Sequence, residues 1–152
     1  MGFEFRLQGL LRFRESSERK EELKLAVAIG ELKRLKMRLA RVREELAAIG
    51  DRISNLLARG TTGADLHLLW FEKMLLERRE QALAQIVSTA LKEVQQQQLR
   101  LQEARQKRKV LEELREKQLA LFLLAEGRRD QQRLDDTFLM RRFAEESGKG
   151  VA

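Results

Sequence analysis

The chain has 152 residues, a formal net charge of +7, and neither cysteine nor proline. With 36% charged and only 5% aromatic residues, it lacks the bulky side chains of a thick globular core and the turn formers of a sheet protein. The absence of Cys excludes disulfides and thiolate metal sites, and no apolar run approaches the roughly 20 residues that span a bilayer.

Abundant Ala, Glu, Lys, Leu and Arg is the composition of long helices and coiled coils. The positive charge points to acidic partners, but 24 acidic residues are mixed through the same segments, as on a solvated coiled-coil surface. The opening "MGFEFRLQGLLRFR" has no apolar core or cleavage site of a secretory signal. It also carries Arg6 where a myristoylation site has Ser or Thr. A cytoplasmic protein is expected.

The first helix is predicted over about residues 3–58. Leu25, Leu32, Leu39, Leu46 and Ile53 recur every seventh residue, and Ala28, Leu35, Val42, Ile49 and Leu56 fill the positions three later. Ten consecutive apolar seam positions specify a coiled-coil helix. Upstream, Arg14, Glu18 and Glu21 stand where seam residues belong. They read either as a polar layer that fixes register or as a soft segment in a stalk that must twist. The stretch "ARGTTGAD" follows. Gly60 suits the left-handed residue that ends a helix, and Thr61, Thr62 and Asp65 suit the cap of the next. A turn is expected at 59–65.

The second helix is predicted over about 66–146, with a tail at 147–152. Its seam runs through Leu83, Val87, Ala90, Val94, Gln97, Leu101 and Ala104, meets Arg108, and is expected to shift phase through Leu111, Leu114 and Leu121. A short turn between long helices favours an antiparallel hairpin, with Leu39 opposite Leu83 and Leu32 opposite Ala90. The first helix would be about 80 Å long at ~1.5 Å per residue. By that register, residues beyond about Leu119 overhang the start of the first helix. The expected fold is therefore all-α: a long antiparallel two-helix coiled-coil hairpin with a C-terminal helical overhang, as a single domain over 1–152.

Nothing in the sequence marks an enzyme. His67 is the only histidine, and no phosphate-cradling Gly loop, nucleophile elbow or metal-ligand spacing is present. Asp135 and Asp136 are adjacent and point about 100° apart on a helix, so they form no carboxylate pair. No cofactor or metal is expected. What remains is binding, through three apolar stretches off the seam. The first is Phe3, Phe5, Leu7, Leu10, Leu11 and Phe13. The second, beside the turn, is Leu68 to Phe71 with Met74 to Leu76; these residues would otherwise fold over the turn as an end cap. The third is Leu134, Phe138, Leu139, Met140 and Phe143. A two-helix hairpin cannot bury a helix that is apolar all round, and exposed apolar patches mark partner sites.

Three ordered segments resemble the FliJ family of flagellar export proteins. They are "FEFRLQGLLRFRE" with Phe3, Phe5, Leu7, Leu10 and Leu11, "VLEELREKQ" with Leu111, Glu112, Leu114 and Glu116, and "LDDTFLMRR" with Leu134, Asp135 and Asp136. The family commonly has Glu where this chain has Asp136. The resemblance implies a non-enzymatic stalk of the bacterial flagellar type III export apparatus, similar to the central stalk of rotary ATPases. Such a stalk acts in protein transport and motility, regulates the ATPase, and is peripherally associated with the inner membrane.

Its implied partners are the export ATPase hexamer, the cytoplasmic domain of the export gate, and empty export chaperones. Phe3, Phe5, Leu7, Leu10 and Leu11 would join Leu134, Asp135, Asp136, Phe138, Arg141 and Arg142 in the end inserted into the ring. The arginines would meet acidic loops, and the apolar residues the collar of the pore. Phe71 and Leu75 are the positions implied for the gate. The related stalk of virulence-type secretion systems shares this architecture. A generic basic scaffold and a nucleic-acid-associated coiled coil remain as other classes. Against nucleic acid, the aromatics lie apart from the densest basic run, "RQKRK" at Arg105–Lys109, so no stacking surface forms. A monomer without direct membrane insertion is expected.

Overall fold

The computed structural model describes residues 2–150; Met1, Val151 and Ala152 lie outside the described residues. The protein is all-helical, with α1 at Gln8–Arg59 packed against α2 at Gly63–Lys149, and no strand among the described residues. Contacts group the chain into two compact units. One is Ser16–Arg105, and the other holds the described residues of 1–15 and 106–152.

The Ser16–Arg105 unit is an antiparallel hairpin. Its turn is tighter than the expected 59–65, because α2 begins at Gly63 rather than near residue 66. Gly60 has φ 81°, the left-handed conformation that releases the chain from α1. Thr62 then caps α2: its hydroxyl accepts from the Asp65 N–H at 3.5 Å and donates to the Asp65 carboxylate at 3.0 Å. Gly60→Ala should lower stability by roughly 1 kcal/mol, because a Cβ disfavours that φ. Gly63→Ala, at the first helical position, should be neutral or slightly stabilising. Urea unfolding of the two variants checks the contrast.

All ten expected seam positions of α1 face inward. Leu32, Leu39, Val42, Ile49 and Ile53 are buried, and Leu25, Ala28, Leu35, Leu46 and Leu56 half-buried. On α2 the same periodicity takes in Val94, Gln97 and Leu101, which are buried, and Leu83, Val87, Ala90 and Ala104, which are half-buried. No side chain is completely buried among the described residues, as two helices without a third must leave every layer open at its flanks. The expected register would set Arg43 opposite Arg79. The observed ion pair joins Arg43 to the adjacent Glu80 at 3.1 Å.

Polar residues of the seam at Gln97, Glu21 and Glu18 are partnered across the hairpin. Gln97 Nε2 donates to the Glu21 carbonyl at 3.2 Å and to the Glu21 carboxylate. Arg105 stands 3.4 Å from the buried Glu18 carboxylate and 3.7 Å from that of Glu22. No buried side-chain N or O atom among the described residues lacks a partner. A register slipped by one heptad would separate these groups and leave them desolvated without compensation. This is how a polar layer selects one alignment of two otherwise repetitive seams.

The unit built from the two chain ends departs from expectation in two respects. First, α1 starts at Gln8, not near Phe3. Residues 2–5 have no regular structure and residues 6–7 form a turn, closed by a hydrogen bond from the Gln8 N–H to the Phe5 carbonyl at 3.1 Å. The reason is visible in "FEF". Phe3 and Phe5 are two apart, so an extended chain turns both toward one side, whereas a helix would splay them. Phe5 is buried with Leu11 and Leu111, and Phe3 packs against this cluster. The ring of Phe3 lies 5.6 Å from that of Phe122, tilted by 52°. Second, the expected phase shift through Leu111, Leu114 and Leu121 fails at its last two members. Leu111 is buried, but Leu114 is 36% and Leu121 68% exposed. The phase of Leu101 and Leu111 instead runs on unshifted to Phe122, half-buried against Phe3, with Leu119 half-buried one turn before it.

Candidate functional site

The N-terminal stretch divides sharply. Leu11 is the most buried core residue at 3% exposure, and Phe5 and Phe3 are packed with it. Leu7, Leu10 and Phe13 are exposed. Phe3, Phe5 and Leu11 therefore act first as an anchor that holds the segment on α2. Phe122, which meets Phe3 at the anchor, was not singled out in the sequence. The period-two spacing of Phe3 and Phe5 was the available signal.

Every residue from Gly127 to Gly150 is exposed. This length of α2 has no tertiary contact to cover it, yet continues the helix without a new nucleation step. Within it, 3.6 residues per turn distribute the side chains around the axis. Leu134, Phe138 and Arg141 share one face. Asp135, Leu139 and Arg142 share the next, and Asp136, Met140 and Phe143 the third. All five large apolar residues are exposed by 60% or more. Each would gain roughly 1.5–3 kcal/mol if fully covered. Arg142 makes only a solvent-exposed ion pair with Glu146 at 3.7 Å, and such pairs contribute little. The segment is thus apolar over about two thirds of its circumference, with Arg133 and Thr137 on the remaining arc, a shape suited to a socket that wraps most of the helix rather than to one groove. From Phe122 to Leu134 it rises about 18 Å at ~1.5 Å per residue, so the two sets of predicted residues are not gathered into one patch.

At the turn end of the hairpin, Leu69 and Leu76 enter the seam as half-buried residues, with Lys73 and Glu80 at the same heptad phase. Leu68, Trp70, Phe71, Met74 and Leu75 stay exposed, so they are not an end cap. Phe71 is 50% and Leu75 48% exposed, and their four-residue spacing sets them side by side on one face. Trp70 lies on the adjoining face, with the Lys73 ammonium 4.9 Å from its ring centroid. His67 is exposed, in an open concavity with Trp70, Phe71 and Met74. No cluster of three or more potential metal ligands occurs among the described residues, and no helix is long and apolar enough to cross a membrane.

The family model described as the flagellar FliJ protein matches residues 3–148. The chain belongs to the FliJ family. The match takes in both helices, the docked N-terminal segment and nearly all of the exposed length of α2. No curated protein and no solved structure matches the chain. Membership places this FliJ-family chain among structural components of flagellar protein export. The apolar surfaces at its ends are then candidates for contacts with that machinery.

Proposed function

We propose that the chain is the non-enzymatic stalk of the flagellar export apparatus, working in the cytoplasm against the inner-membrane machinery. Its terminal unit inserts into the centre of the export ATPase hexamer. The turn end of the hairpin contacts the cytoplasmic domain of the export gate, and the stalk also receives empty export chaperones. The single observation that carries this reading is the exposed length around Leu134 to Phe143, apolar over about two thirds of its circumference. A partner on one side would leave much of this apolar arc wet, whereas the inner wall of a ring covers it. Leu7, Leu10, Leu134, Phe138, Arg141 and Arg142 are the contact residues. Asp135 and Asp136 orient the helix against ring cations, and Phe3, Phe5 and Leu11 hold the base in shape.

Phe71 and Leu75 serve the gate. Phe71→Ala with Leu75→Ala should weaken binding to the purified gate domain at least about tenfold, the loss of ~1.4 kcal/mol or more. Binding to the export ATPase should stay unchanged. Both side chains are half exposed, so the melting temperature should move by only a few degrees. Calorimetric titration against each partner, with thermal melting alongside, reads all three quantities. Equal loss of both partners would show a folding defect and remove the assignment of the tip to the gate.

A further inference from the structure

A strongly basic stretch lies midway along the Ser16–Arg105 hairpin. Residues 32–43 of α1 contain six basic side chains and no acidic one, and residues 79–90 of α2, which lie opposite, contain one of each. Together these two stretches carry a net +6, bounded in sequence by Glu31, Glu44 and Glu45. Arg43 is paired with Glu80, but Lys33, Arg34, Lys36, Arg38 and Arg41 enter no ion pair among the described residues. Arg34, Arg38 and Arg41 are spaced four and three residues apart, so they form one exposed row along the helix. Like charges at that spacing repel by a few tenths of a kcal/mol per pair, which an anionic partner would relieve.

Beside this row runs an open trough between the two helices. Leu35 and Ile86 line it with Ala82, Ala90 and Thr89, and Glu31 and Glu93 close one end. Leu35 and Glu31 also line the concavity of the arginine row, so the trough and the row are continuous. The small Ala82 and Ala90 leave room for a third backbone, while Ile86, 49% exposed, offers an apolar contact. The occupant follows from this pairing of an apolar bed with one cationic flank. A single strand would stack on aromatics, and none lies between Phe13 and Trp70 or between Phe71 and Phe122; a duplex would meet the arginine row through its phosphates but leave the apolar bed uncovered. An anionic lipid surface is flat and cannot enter a trough between two helices. An amphipathic helix fills the bed with its apolar stripe and sets its carboxylates against the guanidinium forks.

We propose that this face docks an acidic amphipathic helix of a partner protein, laid along the trough with its carboxylates against Arg34, Arg38 and Arg41. The site is separate from Phe71 and Leu75 and does not depend on the ring or gate assignments. The probe is a fluorescein-labelled peptide of about three heptads, with Leu at the seam positions and Glu on one flank, followed by anisotropy with the full chain. The peptide binds, and added salt weakens the complex. Arg34→Gln/Arg38→Gln/Arg41→Gln, at unchanged melting temperature, weakens it at least about tenfold. Ile86→Gln also weakens it, while Phe71→Ala/Leu75→Ala does not. A peptide of the same composition with scrambled periodicity, a single-stranded oligonucleotide and phosphatidylglycerol vesicles all bind at least about tenfold more weakly. The proposal is overturned if the helical peptide fails to bind, if any of those three controls matches it, or if the triple arginine variant binds like the wild type.

Discussion

A chain ending at Leu124 should melt within a few degrees of the full-length protein and fail to stimulate the export ATPase. The first half follows from burial. Every residue from Gly127 to Gly150 is exposed, and surface removed from no tertiary contact changes stability little. Leu111 and Phe122, which receive the N-terminal segment, are retained. The second half follows from the proposed role, because Leu134, Phe138, Arg141 and Arg142 are all lost. In the intact chain, Arg141→Glu with Arg142→Glu should weaken stimulation and make the remainder less sensitive to salt, since the screened attraction has been removed. Thermal melting and a steady-state ATPase assay with added stalk decide the matter. Full stimulation by the truncated chain would refute insertion of this end. An unfolded truncated chain would mean that the exposed length is structural after all.

Leu11→Ala should be among the most damaging substitutions in the chain. Leu11 is exposed by only 3% and packs with Phe5 and Leu111. Truncating a buried Leu costs about 2–5 kcal/mol. The lower half of that range applies here, because a thin core can collapse into the space. The loss should appear as a lowered melting temperature and as early tryptic cleavage at Arg6, once Phe5 and Phe3 no longer hold the segment on α2. Leu10→Ala is the control: Leu10 is exposed, and its loss should stay within about 0.5 kcal/mol. Comparable melting of the two variants would contradict the anchoring role of Leu11. With Leu11 gone, ATPase stimulation should also fall, because the base of the terminal unit would be disordered while Leu134 to Arg142 remain intact.

The periodicity of the seam was legible over most of the hairpin, but Leu69 and Leu76, read as off the seam, belong to it. Leu25 to Leu56 and Leu83 to Ala104 face inward as their heptads require, because a repeat of 3.5 residues is a local property that any partner helix must respect. Gly60 was equally plain, since a left-handed φ strongly favours glycine. The apolar surplus at Leu134, Phe138 and Phe143 could be counted in advance, and so could that at Phe71 and Leu75. A two-helix seam has room for only two positions per heptad, so the excess had to remain outside.

Tertiary structure alone decided three things. Whether Phe3 and Phe5 continue a helix or lie extended depends on Leu111 and Phe122, more than a hundred residues away in sequence, and no local pattern contains that distance. Leu114 and Leu121 stay exposed because the phase through Leu101 and Leu111 runs on unshifted to Phe122, and which phase α2 uses depends on what packs against it. Lastly, Arg34, Arg38 and Arg41 look like ordinary solvated charges in the sequence. They flank an open apolar trough only because the antiparallel register brings the small side chains of Ala82 and Ala90 opposite them, and register is a relation between two helices rather than a property of either.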